Sequence, residues 1–219
     1  LISFLSGKSV RHIKNIHCAE LGKHMAHMHL ASKNFDQSLH NSFSIDSWLD
    51  LFNQVKNNAD ELKPGLKNEI EGYLNKLTNH WPTNLPTGII HGDLFPDNVF
   101  FENNILTGII DFYFACTDSF MYDIAICLNA WCFEDSNDFN LTKAKHLLTS
   151  YNAVRTITEK ELEALPMLAM GAAMRFFLTR LYDWFNRSSD AIVTPKDPKQ
   201  YLTRLRFHHN VTSVKQYGL

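Results

Sequence analysis

The sequence has no glycine-rich run. Its nine glycines stand singly among 219 residues, so no G-x-G-x-x-G turn and no Walker-type loop is present to cradle a phosphate. Excess charge of one sign is lacking too: 21 basic side chains against 23 acidic ones leave a formal charge of −2. That balance gives neither nucleic acid nor an anionic membrane surface a general hold. No apolar run approaches the length of a bilayer span, and the N-terminus carries no charged-then-apolar leader pattern. Cysteine is scarce, and Cys18, Cys116, Cys127 and Cys132 form no CxxC pair or framework spacing, which predicts reduced thiols in a cytoplasmic protein. Repeats and low-complexity tracts are absent. What remains, 45% hydrophobic and 20% charged residues, is an ordinary globular composition for one large domain or two small ones.

The chain opens on "LISFL", which reads as the middle of a β-strand, yet no second strand signal follows until about Thr87. Gly7 and "KSVRH" mark a loop. Cys18, Leu21, Met25 and Met28 then recur at helical spacing. His24, His27 and His29 ride on that helix but share no tight ligand face with a carboxylate; ring packing or exposure competes there with a metal site. Residues 44–82 read as two helices parted near Pro64–Gly65, with Asp46 or Ser47 as cap of the first and Pro82 ending the second. "TGIIH" and "NVFFENNILTGIIDF" are strand-like, the latter folding back at Asn103–Asn104, residues that tolerate left-handed conformations. From Phe120 to Phe133 only Asp123 and Asn129 are strongly polar, which predicts a buried helix. Thr158 and Glu161 form a capping-box pattern, with Ile157 and Leu162 as its staple. The remainder reads as helices broken by "VTPKDP" at 193–198. The fold class is α+β, mainly helical, with a small β-hairpin insert.

Inside that insert lies "IIHGDLFPDNVFF". His91, Asp93 and Asn98 reproduce H-x-D-x-x-x-x-N, the spacing of a kinase catalytic loop. Phosphoryl transfer needs a carboxylate that orients the attacking hydroxyl and accepts its proton, and oxygen ligands for magnesium. Asp93 suits the first task and Asn98 the second. A further hard-cation ligand must come from another strand, and Asp111, closing "GIIDF", returns beside Asn98 if the hairpin forms. Taken alone, Asp93 and Asp97 also suit turns around Pro96. Asp123 either braces this loop from the helix behind it or caps that helix near Phe120.

The stretch "HGDLFPDNVFF…GIIDFYFACTDSFMYDIAICLNAWCFE" resembles the homoserine kinases of the aminoglycoside/choline phosphotransferase-like superfamily. The likeness extends to "LISFLSGKSVRH", "RFFLTRLYDWF" and "VTPKDP", and so covers nearly the whole chain. It implies a protein-kinase-like fold and transfer of phosphate from ATP, with Mg2+, to the hydroxyl of homoserine in threonine biosynthesis. It assigns Asp93 as catalytic base, Asn98 and Asp111 as magnesium ligands, and His91 as support of the loop. Phe100 and Ile110 would form an apolar floor under adenine, with Phe4–Leu5 at the hinge; all four are core strand residues on the simpler reading. Tyr113 stands where protein kinases have the glycine after "DF", as in the homoserine kinase pattern.

The resemblance also implies a β-rich N-terminal lobe with a phosphate-covering loop and a lysine, neither of which these residues supply. Residues 1–8 are then a hinge strand of that lobe and 9–219 the catalytic lobe. The expectation is a fragment of a complete enzyme, weakly active or inactive by itself; the alternative is a non-catalytic remnant. Choline, an aminoglycoside or another small alcohol would use the same loop. A zwitterionic substrate needs a cation and an anion. Arg180 can pair with Asp183, leaving Arg175 as the carboxylate ligand, Asp118 in the loop after Asp111 for the ammonium, and Arg11 for phosphate or substrate.

Overall fold

The computed structural model describes residues 4–186 and 196–219. The N-terminal residues that are described, Phe4 and Leu5, are not in a strand. A strand-like contact is made at Lys8, which exchanges both backbone hydrogen bonds with Phe101, at 3.0 and 2.9 Å; the "LIS" of "LISFL" lies outside the described residues. The "VTP" of "VTPKDP" lies outside the described residues.

Helix α1 (Asn15–Ala31) buries Cys18, Leu21, Gly22, Met25, Ala26 and His29 along one face, and that face packs on α6 (Leu141–Val154). Close approach requires a glycine: a Cβ on Gly22 would sit 2.2 Å from the Leu147 carbonyl oxygen. Between them in sequence come α2 (Ile45–Val55), a single turn α3 (Ala59–Leu62) and α4 (Leu66–His80). The cap of α2 is Ser44, not Asp46 or Ser47, and its side chain makes no capping bond.

Two antiparallel ladders follow. β1 (Thr87–Ile90) pairs with β4 (Cys116–Ser119), and β2 (Val99–Glu102) pairs with β3 (Ile105–Ile109). The turn between β2 and β3 places Asn103 and Asn104 at φ 52° and 64°, the left-handed region that asparagine tolerates. β4 has no strand signature in its sequence, "CTDS"; it is a strand because β1 supplies its register, Ile90 opposite Cys116 and Thr87 opposite Ser119.

α5 (Phe120–Trp131) is buried on all sides but one residue, as its composition predicts. Its cap is Ser119, whose hydroxyl accepts from the Met121 amide, which leaves Asp123 for other work. α7 (Glu159–Phe185) begins at Thr158 with the expected capping box. Against the expectation of no span-length apolar segment, α7 is long and apolar enough to cross a bilayer, but 72% of that stretch is buried. It is the central core helix, packed by α2, α5 and α8 (Lys199–Asn210). All four cysteines are unpaired and buried, and burial pushes the Cys116 thiol up to about 12.

His208 of α8 is buried among Phe133, Phe139, Phe207 and Tyr217. Nδ1 meets the Tyr217 hydroxyl at 2.8 Å and Nε2 has no partner among the described residues. Burial, helped by the Arg204 charge, pushes its pKa down from 6.5 to about 3. The unfolded chain therefore takes up a proton in that window that the folded chain refuses, and stability falls as pH drops below 6.5. The slope approaches about 1.4 kcal/mol per pH unit. Urea midpoints at about pH 7.5 and about pH 5 measure it, and His208→Leu should flatten the difference; an unchanged difference refutes this assignment.

Candidate active site

The ladder pairing fixes the site. The chain leaves β1 at Ile90 and enters β2 at Val99; it leaves β3 at Ile109 and enters β4 at Cys116. Because Ile90 pairs with Cys116 and Val99 with Ile109, the two loops between these pairs, 91–98 and 110–115, start and finish opposite each other. They are tied together along their length. The Ile110 amide donates to the Asn98 carbonyl at 3.0 Å, and His91 Nε2 meets the Ile110 carbonyl at 2.9 Å. The His91 ring lies 4.6 Å from that of Phe112. Gly92, at φ +74°, passes so near the second loop that a Cβ would be 2.6 Å from the Phe114 carbonyl oxygen.

Asp123 anchors the first loop from behind. Its carboxylate accepts from the His91 and Gly92 amides, each at 2.9 Å, and meets His29 Nε2 at 3.1 Å. His29 in turn reaches the Tyr151 hydroxyl at 2.8 Å. Asp123 and His29 are both fully buried. Burial alone would raise the Asp123 pKa, but the His29 contact and the backbone amide hold it below the ordinary carboxylate value. The histidine spacing on α1 places His29 on the buried face with Met25, and that periodicity was a usable signal for a partner that sequence reasoning did not assign.

One cavity of about 370 Å³ opens between the loops and α7. Its lining combines the acids and amide Asp93, Asp97, Asn98 and Asp111 with the cations Arg175, Arg180 and Lys196 and the rings Phe43, Phe95, Phe114 and Phe176. The Asn98 amide nitrogen donates to the Asp93 carbonyl at 2.8 Å and approaches Asp93 Oδ2 at 3.4 Å. With its nitrogen so engaged, Asn98 Oδ1 takes no hydrogen bond among the described residues, nor does the exposed Asp111 carboxylate. Asp111 sits at φ 64°, a left-handed conformation that costs energy for a non-glycine residue and recurs at functional sites. Burial raises the Asp93 pKa above its ordinary value, Arg175 and His91 oppose this, and Asp111 adds to it.

The cations are placed differently from expectation. Arg175 is 4% exposed and donates from Nη1 to the Gly92 carbonyl at 2.6 Å. Arg180 forms no ion pair with Asp183 among the described residues; it lies over the Tyr201 ring at 4.3 Å. Lys196, Phe43, Phe114 and Phe176 were not singled out from sequence, and no local pattern marks them. Asp118 is in β4 rather than a loop, off the cavity, accepting from Asn41 Nδ2 at 2.7 Å. Arg11 is exposed and off the cavity, and Phe4 is 95% exposed.

In the hairpin Phe100 stands opposite Gly108, and beyond it the Ile110 amide donates to the Asn98 carbonyl. Leu5 packs against Gly108, where a Cβ would meet its Cδ1 at 2.8 Å.

The sequence profile of the phosphotransferase enzyme family matches residues 1–157. The homoserine kinase of Parvibaculum lavamentivorans is 53% identical over all 219 residues, which span 68% of its length. That of Rhodospirillum rubrum is 52% identical with the same coverage, 100% of this chain and 68% of its own. An aminoglycoside phosphotransferase structure from Alicyclobacillus acidocaldarius superposes with a TM-score of 0.67 at 16% identity, covering 99% of this chain and 67% of that one.

Proposed function

Because the chain belongs to the phosphotransferase enzyme family, among the homoserine kinases, we propose that it transfers the γ-phosphate of ATP to the hydroxyl of L-homoserine, in threonine biosynthesis. The observation that carries this reading is the single cavity on which Asp93, Asn98 and Asp111 converge from two facing loops.

Asp93 is the base. Its burial and hydrogen-bonded loop position it, and a raised pKa makes it a better proton acceptor for a substrate hydroxyl. His91 and Asp123 hold the loop. Phe100 and Ile110 lie under the adenine, with Phe4 and Leu5 at the hinge.

The donors present suit magnesium. Asn98 Oδ1 and the Asp111 carboxylate are hard oxygens without other partners among the described residues, and magnesium is commonly held by one or two carboxylates plus substrate phosphates. The described residues hold no cluster of three or more His, Cys, Asp or Glu that would form an all-protein cage. When bound, the ion neutralises charge on the β- and γ-phosphates.

Residues 9–219 are the catalytic lobe, with 1–8 leading into it, and the buried thiols suit a reducing cytoplasm. Neither nucleic acid nor membrane is a partner. The assay is formation of O-phosphohomoserine from ATP, run on the 219-residue chain and on the chain carrying a relative's β-rich N-terminal lobe ahead of residue 1. The lobe-bearing form should phosphorylate homoserine in preference to choline or kanamycin, and the short chain only weakly. Preference for either competitor overturns the substrate assignment.

A further inference from the structure

Three cations face the cavity, and they are not equivalent. Arg175 is the buried one, 4% exposed. Its guanidinium lies 4.7 Å from the Phe43 and Phe176 ring centroids, and its Nη1 donates to the Gly92 carbonyl. That bond fixes the residue preceding Asp93, so Arg175 sits at the reacting end of the cavity. A homoserine whose hydroxyl lies on Asp93 carries its carboxylate three carbons away, and needs a cation farther along.

Arg180 is placed for that. It lies five residues on in α7, about 7.5 Å along the helix axis from Arg175 at the usual rise. Its one hydrogen bond among the described residues is a 3.2 Å contact to Gln200 Oε1, and it makes no contact ion pair there. Burial, with the Arg204 charge, pulls its pKa down, while Tyr201 and the nearby Asp197 oppose this. A desolvated guanidinium without a carboxylate in contact is costly. Lys196 lines the same cavity, its Nζ 5.9 Å from the Phe95 ring centroid and its charge felt at Asp93.

Resting on the homoserine kinase reading, we infer that Arg180, seconded by Lys196, binds the substrate carboxylate, and that Arg175 is a positioning residue for the Asp93 loop. The same pair repels choline and aminoglycosides, which bring positive charge, and so selects alcohols that bear a carboxylate.

The test is isothermal titration of homoserine and of 3-aminopropan-1-ol, which has no carboxylate, into the wild-type chain, Arg180→Gln, Arg180→Lys and Lys196→Met. Arg180→Gln should weaken homoserine by about 10- to 100-fold, as expected for loss of a charged hydrogen bond. Arg180→Lys should restore part of it, and Lys196→Met should give a smaller loss. The analogue, with no carboxylate to lose, should change far less. In the lobe-bearing form, KM for homoserine should rise while kcat stays within a few-fold. Homoserine affinity untouched by Arg180→Gln, or both ligands weakened alike, overturns the assignment. So does a wild-type chain that prefers the analogue. Failure of the lobe-bearing wild type to phosphorylate homoserine overturns instead the reading beneath it.

Discussion

Replacing Asp93 by asparagine should lower kcat for homoserine phosphorylation by about 10²- to 10⁴-fold in the lobe-bearing form, the usual contribution of a positioned general base. The amide is nearly isosteric, and the loop keeps its other ties: the Asn98 bond to the Asp93 carbonyl and the Asp123 bonds to His91 and Gly92 do not involve the altered side chain. KM for both substrates should therefore move by no more than a few-fold. The pH profile supplies a second readout. Burial holds the Asp93 pKa above its ordinary 3.8, so wild-type kcat/KM should fall as the pH drops through that raised value, where the base becomes protonated. Asp93→Asn lacks that acidic limb. A variant keeping more than about a tenth of wild-type kcat, against the hundredfold minimum expected, would show that the proton goes elsewhere.

Asp123→Ala should be the most destabilising single change, by about 3–5 kcal/mol, as when one member of a buried charged network is removed. It strands the amides of His91 and Gly92 and the Nε2 of His29, all buried. Asp123→Asn keeps an acceptor and should lose less. The sign of the pH dependence follows from the lowered Asp123 pKa: its contribution is present above the unfolded carboxylate value of 3.8 and is lost as pH falls toward the lower folded value. Urea denaturation of the three proteins measures this. A loss under about 1 kcal/mol for the alanine variant would mean that water or a relaxed backbone replaces the carboxylate.

The features that could be read directly were those set by local chemistry. Asn103–Asn104 turn because their side chains tolerate positive φ, Thr158 caps because its hydroxyl reaches the Glu161 amide, and α5 is buried because its composition leaves no face for water. The features that could not be read depend on partners distant in sequence. "CTDS" has no strand propensity, and only its pairing with β1 makes it one. The same ladder removed Asp118 from a loop and from the cavity. Arg180 has an acidic neighbour at helical spacing in Asp183, so the local pairing looked sufficient; the guanidinium lies instead over Tyr201 and beside Gln200, both brought by α8. Arg175 looked unpartnered because its acceptor, the Gly92 carbonyl, belongs to the backbone and leaves no trace in side-chain spacing.

The pairing of β1 with β4 and β2 with β3 has a consequence for how such a protein diversifies. Both reactive loops hang between the same two rungs, so an insertion in either would unseat the other, and their lengths are locked together. The α7 wall is tied to those loops through Arg175 and the Gly92 carbonyl, while Thr179 and Arg180 make no such tie among the described residues. Descendants can exchange the molecules they accept by editing that untied part of the wall, while the chemistry is inherited intact.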